Sequence, residues 1–240
     1  ICISIIGNSV IIQAAEGDAV AEGEVAINEA NFPDENFRNY VKEFDTDGNG
    51  ILSVPEIAAV TKISLYEENI ADLEGIKNFP NLRSLWCRFE NLQELELSGM
   101  TNLSKVSCWG SESLTEMNVS GCSSLSEVSC WGNESLTEMN VSDCSSLTTL
   151  ECHENKLQKL NVMDCKSLVE LDCHGNKLQE LDITGCSSLT TLECNDNKLQ
   201  KLNITDFSNL TKLDCSRNEL LELDVTDYRN LSNFYCNENH

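Results

Sequence analysis

The chain contains 240 residues, of which 40% are hydrophobic, and its 40 acidic and 16 basic residues give a formal net charge of −24. This length and apolar content suffice for one folded unit with a sizeable core. The acidic excess argues against binding to nucleic acid or to an anionic membrane surface, because both would repel the chain. We therefore expect a soluble or surface-displayed protein with no nucleic-acid partner.

The first 21 residues have the features of a secretory signal peptide. Residues 1–15 (ICISIIGNSVIIQAA) are apolar and uncharged, too short to cross a bilayer, and similar in length to the hydrophobic region of a signal. Cleavage is expected after Ala15 or after Ala19-Val20-Ala21, which would leave no membrane span in the mature chain. The charged region that opens a signal is missing, so the peptide is incomplete, and a buried strand is the alternative. Residues 22–30 are predicted to be a linker.

Residues 31–60 are predicted to form a small helical cap. Pro33 and Asp34 suit the first turn of a helix, because proline needs no hydrogen-bond partner there and a carboxylate is favoured at the positive helix end. Apolar residues then recur at positions i, i+3, i+4 and i+7, on one helical face: Phe37, Tyr40, Val41 and Phe44.

Residues 45–56 match the calcium loop of EF-hand proteins, D-x-[DN]-x-[DN]-G-x5-E. By position, the predicted ligands of one Ca²⁺ ion are Asp45, Asp47, Asn49, the carbonyl of Ile51, Ser53 and both oxygens of Glu56. The alternative is an acidic, glycine-rich turn that holds no metal. A lone site of the extracellular type would bind Ca²⁺ with a Kd on the order of 10⁻⁴–10⁻³ M. We expect the ion to make the cap rigid over an otherwise open sheet edge.

A repeat of 21 or 22 residues occupies residues 61–240. Successive copies begin at Leu82, Leu103, Leu125, Leu147, Leu168, Leu189, Leu210 and Leu231. The cleanest copy, LVELDCHGNKLQELDITGCSS, resembles the leucine-rich-repeat signature in its first half, with Cys in place of one Leu. A fixed period of this size predicts a solenoid of about eight coils. The last copy stops in mid-coil, so we expect the native protein to be longer.

Each coil is predicted to add one short strand to a parallel sheet. Leu171, Asp172 and Cys173 alternate between apolar and polar, which indicates a strand with one buried face, and stacked strands of this kind lie ~4.8 Å apart. Leu181 and Ile183 repeat the pattern later in the coil, which predicts short strands or turns on the opposite side. The predicted fold is therefore a leucine-rich-repeat solenoid with a parallel β-sheet and a small α-helical, EF-hand-like N-terminal cap.

Twelve of the thirteen cysteines fall at inward positions of the repeat. Neighbouring Cβ atoms in such a stack would lie ~4.8 Å apart, beyond the roughly 3.5–4.5 Å that a disulfide requires, so we expect reduced, buried thiols. Asparagines from Asn133 to Asn239 form another column, which is predicted to be a structural ladder because a buried turn needs hydrogen-bond partners.

Residues that flank the inward cysteines on the strands are predicted to form a ligand-binding face. The candidates are Trp86, Arg88, Trp109, Trp131, His153 and His174. Clustered exposed aromatic residues on a sheet are unusual unless they meet a partner, so we predict a protein or glycan ligand. The alternative is duplication, because the coils that carry Trp109 and Trp131 are nearly identical.

The two histidines of this face suggest two further chemistries, neither of which we favour. His153 and His174 on adjacent strands, with Glu151 and Asp172 nearby, have the residue types of a zinc site, but repetition explains them more simply. A catalytic Cys152–His153 pair is disfavoured because consecutive strand residues point to opposite faces. The chain lacks H-E-x-x-H, G-x-S-x-G and phosphate-loop motifs, and we predict no enzyme.

Residues 31–38 (NFPDENFR), the loop at 45–56 and residues 57–61 (IAAVT) together resemble secreted leucine-rich-repeat proteins of gut Firmicutes, some of them internalin-like. In those proteins an EF-hand-like cap precedes the repeats. The resemblance implies a secreted or cell-surface interaction protein, adhesin-like and without catalytic activity. The alternatives are a structural spacer and the targeting arm of a larger cell-wall enzyme.

Overall fold

A computed structural model describes residues 2–6, 9–13, 20–66, 69–205, 207–226 and 228–240 of the chain, and for the first two segments it gives the backbone. Strands β1 (Cys2–Ile6) and β2 (Ser9–Gln13) pair in antiparallel orientation, with Cys2 opposite Gln13. They lie within the predicted signal peptide, whose assignment stays a prediction. Both cleavage positions involve residues outside the described part, namely Ala15 and Ala19.

The cap consists of two short helices joined by the acidic loop, our name for residues 45–56. Helix α1 (Glu35–Val41) continues into a 3-10 helix (Lys42–Phe44), and α2 (Val54–Ala59) begins within the last three residues of the loop. The predicted linker, residues 22–30, contains a short strand, because β3 (Val25–Ala26) pairs with β4 (Ile51–Leu52) inside the loop. The β-branched residues Val25 and Ile27 favour this extended conformation.

Aromatic packing and hydrogen bonds attach the cap to the first coils. Phe32 is fully buried, and its ring stacks on Phe79 with centroids 6.2 Å apart. Asp34 caps α1 by accepting a 2.8 Å hydrogen bond from the N–H of Phe37, and its second oxygen accepts one from the N–H of Ala71 at 2.8 Å. One side chain therefore begins the helix and ties it to the solenoid.

The backbone approaches closely where the cap meets the first coil. Gly75 has φ +96°, and a Cβ there would lie 2.2 Å from the carbonyl oxygen of Asn31 and 2.5 Å from the Phe32 ring. This position therefore requires glycine both for its left-handed conformation and for its lack of a side chain.

A nine-stranded parallel sheet runs along the solenoid, with one strand from each coil. In chain order its strands are β5 (Lys62–Tyr66), β6 (Ser84–Arg88), β8 (Lys105–Cys108), β10 (Glu127–Ser129), β12 (Thr149–Glu151), β14 (Glu170–Asp172), β15 (Thr191–Glu193), β16 (Lys212–Asp214) and β17 (Asn233–Tyr235). Neighbouring strands pair in register, so equivalent repeat positions lie side by side. The predicted solenoid with one strand per coil is confirmed.

The opposite side of the solenoid carries a smaller parallel sheet. Its four strands are β7 (Glu94–Glu96), β9 (Glu116–Asn118), β11 (Glu138–Asn140) and β13 (Lys159–Asn161). In the described coils that follow β13, segments with no assigned secondary structure take this place, as at residues 181–183. Within the part of the chain that the structure describes, no helix reaches the length and hydropathy needed to cross a bilayer.

Two columns of cysteines run through the core between the sheets. Eleven cysteines are buried free thiols: Cys87, Cys108, Cys122, Cys130, Cys144, Cys152, Cys165, Cys173, Cys186, Cys194 and Cys215. In the column formed by Cys122, Cys144, Cys165 and Cys186, the thiol donates to a carbonyl of the preceding coil, as Cys165 does to Val141 at 3.1 Å. Burial raises the pKa of Cys144 and of Cys165 to about 12. Cys236 is exposed, contrary to the expected inward position, because no described coil follows its own.

The asparagine column joins each coil to the coil before it. The Nδ2 group of Asn176 donates to the carbonyls of Cys152 (2.9 Å) and Cys173 (3.0 Å), and its Oδ1 accepts from the N–H of Leu157 at 2.9 Å. The predicted ladder is therefore present, but each amide bonds to backbone groups. Buried turn groups find their partners in this way.

Candidate functional site

The acidic loop turns its first carboxylate toward its own backbone. Asp45 accepts hydrogen bonds from the N–H groups of Gly48 (2.9 Å), Asn49 (3.2 Å) and Gly50 (2.8 Å). Gly50 has φ +80° with no atom within 4 Å of a Cβ placed on it, so it provides the predicted sharp turn. Asp47 Oδ2 lies 3.0 Å from the Nδ2 group of Asn49.

Glu56 closes the loop from the first turn of α2. Its Oε1 accepts from the N–H and the hydroxyl of Thr46, both at 2.6 Å, and its Oε2 accepts from the N–H and the hydroxyl of Ser53 at 2.9 and 2.7 Å. The hydrogen bond from the Thr46 hydroxyl, followed by those from Ser53, lowers the pKa of Glu56 to about 2. This carboxylate is therefore ionised at neutral pH.

Three carboxylates of the acidic loop converge closely enough to share a cation. One oxygen from each of Asp45, Asp47 and Glu56 lies within 4.8 Å of the others. Hard oxygen donors in this number suit Ca²⁺. Two predicted ligands point elsewhere, because Asn49 Oδ1 accepts from the N–H of Ile51 at 2.7 Å and the Ser53 hydroxyl bonds to Glu56. The residues fit a calcium ion if Asn49 rotates.

Four aromatic rings stack in one line on the strand face, and we call them the ring column: Trp109, Trp131, His153 and His174. Ring centroids are 5.7 Å apart for Trp109–Trp131, 5.9 Å for Trp131–His153 and 4.7 Å for His153–His174. Interplanar angles of 9°, 1° and 6° make the rings nearly parallel. Trp131 is 38% exposed, and the other three rings are half-buried.

The ring column follows from the register of the coils. Each ring residue comes directly after a buried cysteine. The carbonyls of the last three ring residues each accept a hydrogen bond from the residue that follows the ring in the preceding coil. The N–H of Gly110 donates to Trp131 at 3.3 Å, that of Gly132 to His153 at 3.1 Å, and that of Glu154 to His174 at 2.9 Å. The three donor residues all have positive φ, a conformation that glycine adopts without strain, and two of the three are glycine. Asn195 takes the equivalent position in the next coil and ends the column.

Trp86 lies outside the ring column, although the sequence placed it on the same face. Trp86 is the strand residue directly before Cys87. Its ring lies between two lysines, with Nζ of Lys62 5.6 Å and Nζ of Lys105 5.1 Å from the ring centroid. Its indole N–H donates to the Ser84 hydroxyl at 2.6 Å. Arg88, exposed and next to the column in register, has its Nε 3.7 Å from a Cβ built on Gly110.

Asp172 joins the two histidines of the ring column. Its Oδ1 lies 2.6 Å from Nδ1 of His174, and its Oδ2 lies 3.3 Å from Nδ1 of His153 in the preceding coil. The sequence placed both Asp172 and Glu151 near the histidines but did not indicate which of the two carboxylates contacts them. The signal was the D-C-H spacing, which places the carboxylate and an imidazole on one strand face.

Two acidic strand residues beside the ring column are paired with lysines. Lys212 Nζ lies 2.7 Å from Glu193, and Lys105 Nζ lies 2.5 Å from Glu127. The hydrogen bond to Glu193 raises the pKa of Lys212. Each of these two lysines therefore neutralises one carboxylate of the strand face.

Comparison with known proteins places the solenoid among bacterial leucine-rich-repeat proteins. A family profile described as the endo-beta-N-acetylglucosaminidase EndoS LRR domain matches residues 32–176. Internalin J of Listeria monocytogenes serotype 4b (strain F2365) is 35% identical over 71 residues, which are 29% of this chain and 8% of that protein.

The chain is also similar to solved structures of bacterial leucine-rich-repeat proteins. The functional domain of InlJ from Listeria monocytogenes, described as including a cysteine ladder, is 31% identical, with a TM-score of 0.58, over 90% of this chain and 52% of that one. InlP of the same species shares the fold, at 16% identity and a TM-score of 0.58, over 89% of this chain and 66% of that one. The chain thus spans about half of the InlJ structure and a small part of Internalin J.

Proposed function

We propose, from the premise that this chain belongs to the family of the EndoS leucine-rich-repeat domain, that it binds a protein ligand through the ring column and carries out no catalysis itself. The ring column is the observation that carries the proposal. We further propose that the protein acts outside the cell, secreted or on the cell surface, as its resemblance to internalins implies.

The arrangement of the rings favours a protein over a glycan. A sugar ring packs on an open aromatic face, but inside the ring column each face is covered by the next ring, at 5.7 Å for the two tryptophans. The column therefore presents edges, indole N–H groups and imidazole nitrogens, which suit the apolar and polar side chains of a protein surface. Exposed Arg88 at one end adds a side-chain type that is common in protein interfaces.

Calcium binding by the acidic loop is the second part of the proposal. Asp45, Asp47, Glu56, the rotated amide of Asn49, Ser53 and the carbonyl of Ile51 would hold the ion. When bound, Ca²⁺ would neutralise three converging carboxylates and hold β4 against β3. The cap that covers the β5 edge would become more stable as a result.

A capture experiment with column variants tests the binding function. The chain would be immobilised in Ca²⁺ and exposed to arrays of purified cell-surface proteins and, separately, of glycans. Trp109→Asn with Trp131→Asn removes the indoles with the residue that the chain itself carries at Asn195. Trp86→Asn is the matched control, because Trp86 lies outside the ring column. We expect a protein to be captured by the parent and the control but not by the double variant.

The other outcomes separate the alternatives. Capture of a glycan that the double variant loses would replace the protein ligand by a sugar. Equal capture by all three would move the site away from the ring column. Absence of any capture would favour a structural spacer.

A larger enzyme remains the second candidate, because the family is named for a domain of an endoglycosidase and the chain spans only part of its relatives. In that case the solenoid would be a targeting arm. Reading the full open reading frame tests this, since a glycoside hydrolase domain would support the enzyme and a cell-wall anchor would support the adhesin.

A further inference from the structure

The histidine end of the ring column brings together three metal-ligating groups from two coils. Nitrogen atoms of His153 and His174 and a carboxylate oxygen of Asp172 all lie within 4.8 Å of one another. Both imidazoles turn Nδ1 toward the same carboxylate, at 3.3 and 2.6 Å. Stacking of the two rings in register does not determine which edge of each ring faces Asp172. The orientation of both Nδ1 atoms toward this carboxylate is therefore a second observation, independent of the stacking.

The hydrogen bonding of this group is incomplete. Nδ1 of His153 is buried and makes no hydrogen bond among the described residues, although Asp172 Oδ2 is only 3.3 Å away. A buried polar atom without a partner is costly, so it calls for a group that the protein atoms do not supply. An ion between Nδ1 and the carboxylate would satisfy it.

The neighbouring side chains that could also bind a metal ion are either paired elsewhere or buried. Glu193, the strand neighbour of Asp172 in the next coil, is paired with Lys212 at 2.7 Å and does not compete. The side chains of Cys152 and Cys173 are fully buried in the core, on the opposite face of their strands, so these thiols do not reach the group. The available donors are therefore two imidazole nitrogens and one carboxylate.

We propose that His153, Asp172 and His174 form a binding site for a divalent transition-metal ion of the zinc type. Imidazole and carboxylate together suit Zn²⁺ rather than Ca²⁺, which prefers oxygen donors alone. Zn²⁺ takes four ligands, so the three protein ligands leave one position for a further ligand such as water. The ring of Trp131 is stacked on His153 and therefore lies next to the site. The ion would link two adjacent coils and place a Lewis acid at the edge of the ring column. This proposal does not depend on the protein ligand proposed above.

Zinc titration of the intact chain tests the site. Calorimetry would be run with Ca²⁺ in excess, so that the acidic loop is not available to zinc. His153→Asn and His174→Asn each remove one ligand and insert the residue found at Asn195, and His240→Asn is the matched control because it changes the only other histidine. Thermal melting without zinc would check that every variant folds. If a histidine variant does not fold, Asp172→Asn replaces it, since that variant keeps both rings.

We expect one zinc ion to bind the parent and the His240→Asn control with the same affinity. In either column variant the affinity should fall by at least the roughly 10–100-fold that loss of an outer-shell partner costs. Co²⁺ in place of Zn²⁺ should give a spectrum without thiolate charge-transfer bands. Equal affinity in the column variants and the control would overturn the proposal, and so would a thiolate band, which would move the ion to the cysteines.

Discussion

The phenol oxygen of Tyr40 in the cap lies 3.1 Å from the backbone nitrogen of Ser64, from which it accepts a hydrogen bond. Ser64 lies in β5, the edge strand of the main sheet, whose outward N–H groups would otherwise be unpaired. The cap thus protects the sheet edge through a specific polar contact as well as through aromatic packing.

Tyr40→Phe should therefore destabilise the protein by about 0.5–1.5 kcal/mol, because it removes one acceptor and keeps the ring. Urea unfolding would measure the change. Tyr66→Phe is the matched control, since Tyr66 is 43% exposed at the end of the same strand. Equal effects of the two substitutions would show that the Tyr40 contact adds nothing to stability.

Calcium should raise the melting temperature of the parent chain, and Asp45→Asn with Glu56→Gln should abolish that rise. The substitutions remove two of the three converging charges. Glu43→Gln, a nearby acidic residue outside the loop, should leave the calcium effect intact. A melting temperature that still rises with Ca²⁺ in the double variant would mean that the ion binds elsewhere.

Glu56 should contribute to a pH dependence of stability that is separate from calcium. Its pKa is lowered from 4.5 to about 2 by the hydrogen bonds from Thr46 and Ser53, so folding favours its ionised form. The contribution is fully present above pH 4.5 and is lost as the pH falls toward 2. In chelator, the melting-temperature difference between the parent and Glu56→Gln should shrink over this range. A difference that does not change with pH would contradict the assignment.

The buried thiols of the cysteine columns should not react with a thiol reagent in the native protein. In a Cys2→Ser background, twelve of the thirteen cysteines remain, and of these only Cys236 is exposed. A thiol reagent at pH 8 should label one group in the native chain and twelve in denaturant without reductant, because burial holds the other thiols protonated. Cys236→Ser should remove the native label. Fewer than twelve labels in denaturant would indicate disulfides.

Gly75 should be among the most sensitive positions at the junction of cap and coils. Gly75→Ala places a Cβ 2.2 Å from the Asn31 carbonyl, whereas at Gly99, also with positive φ, no atom lies within 4 Å. Both substitutions incur the backbone strain of about 1 kcal/mol or more, and Gly75→Ala should cost a further ~1–3 kcal/mol from the clash. Chemical unfolding of both variants separates the two effects. Equal losses would mean that the chain relaxes around the new methyl group.

The repeat could be read from the sequence because a solenoid makes every coil repeat one environment. Leucine, cysteine and asparagine therefore recur at fixed positions, and register follows from the period. The predicted calcium loop was likewise local, since its ligands lie within twelve residues. Calcium binding itself stays a prediction.

Contacts that depend on side-chain direction could not be read in the same way. Trp86 and Trp109 both flank a cysteine, but only the residue after the cysteine joins the ring column, whereas Trp86 packs between two lysines. The pairing of β3 with the acidic loop was missed because two residues give no periodic signal. Asp172 was placed near both histidines, yet its contact with each depends on rotamers that spacing does not fix.

The asparagine amides give the solenoid a direction. Asn176 holds the turn of the preceding coil, through the carbonyl of Cys152 and the N–H of Leu157, and Asn197 does the same for the coil of Asn176. Each coil is thus fastened by its successor, so loss of one coil loosens the coil before it and leaves the one after it with its own amide intact. Unfolding should consequently spread toward the cap more easily than away from it, and the capped end should be the last to open.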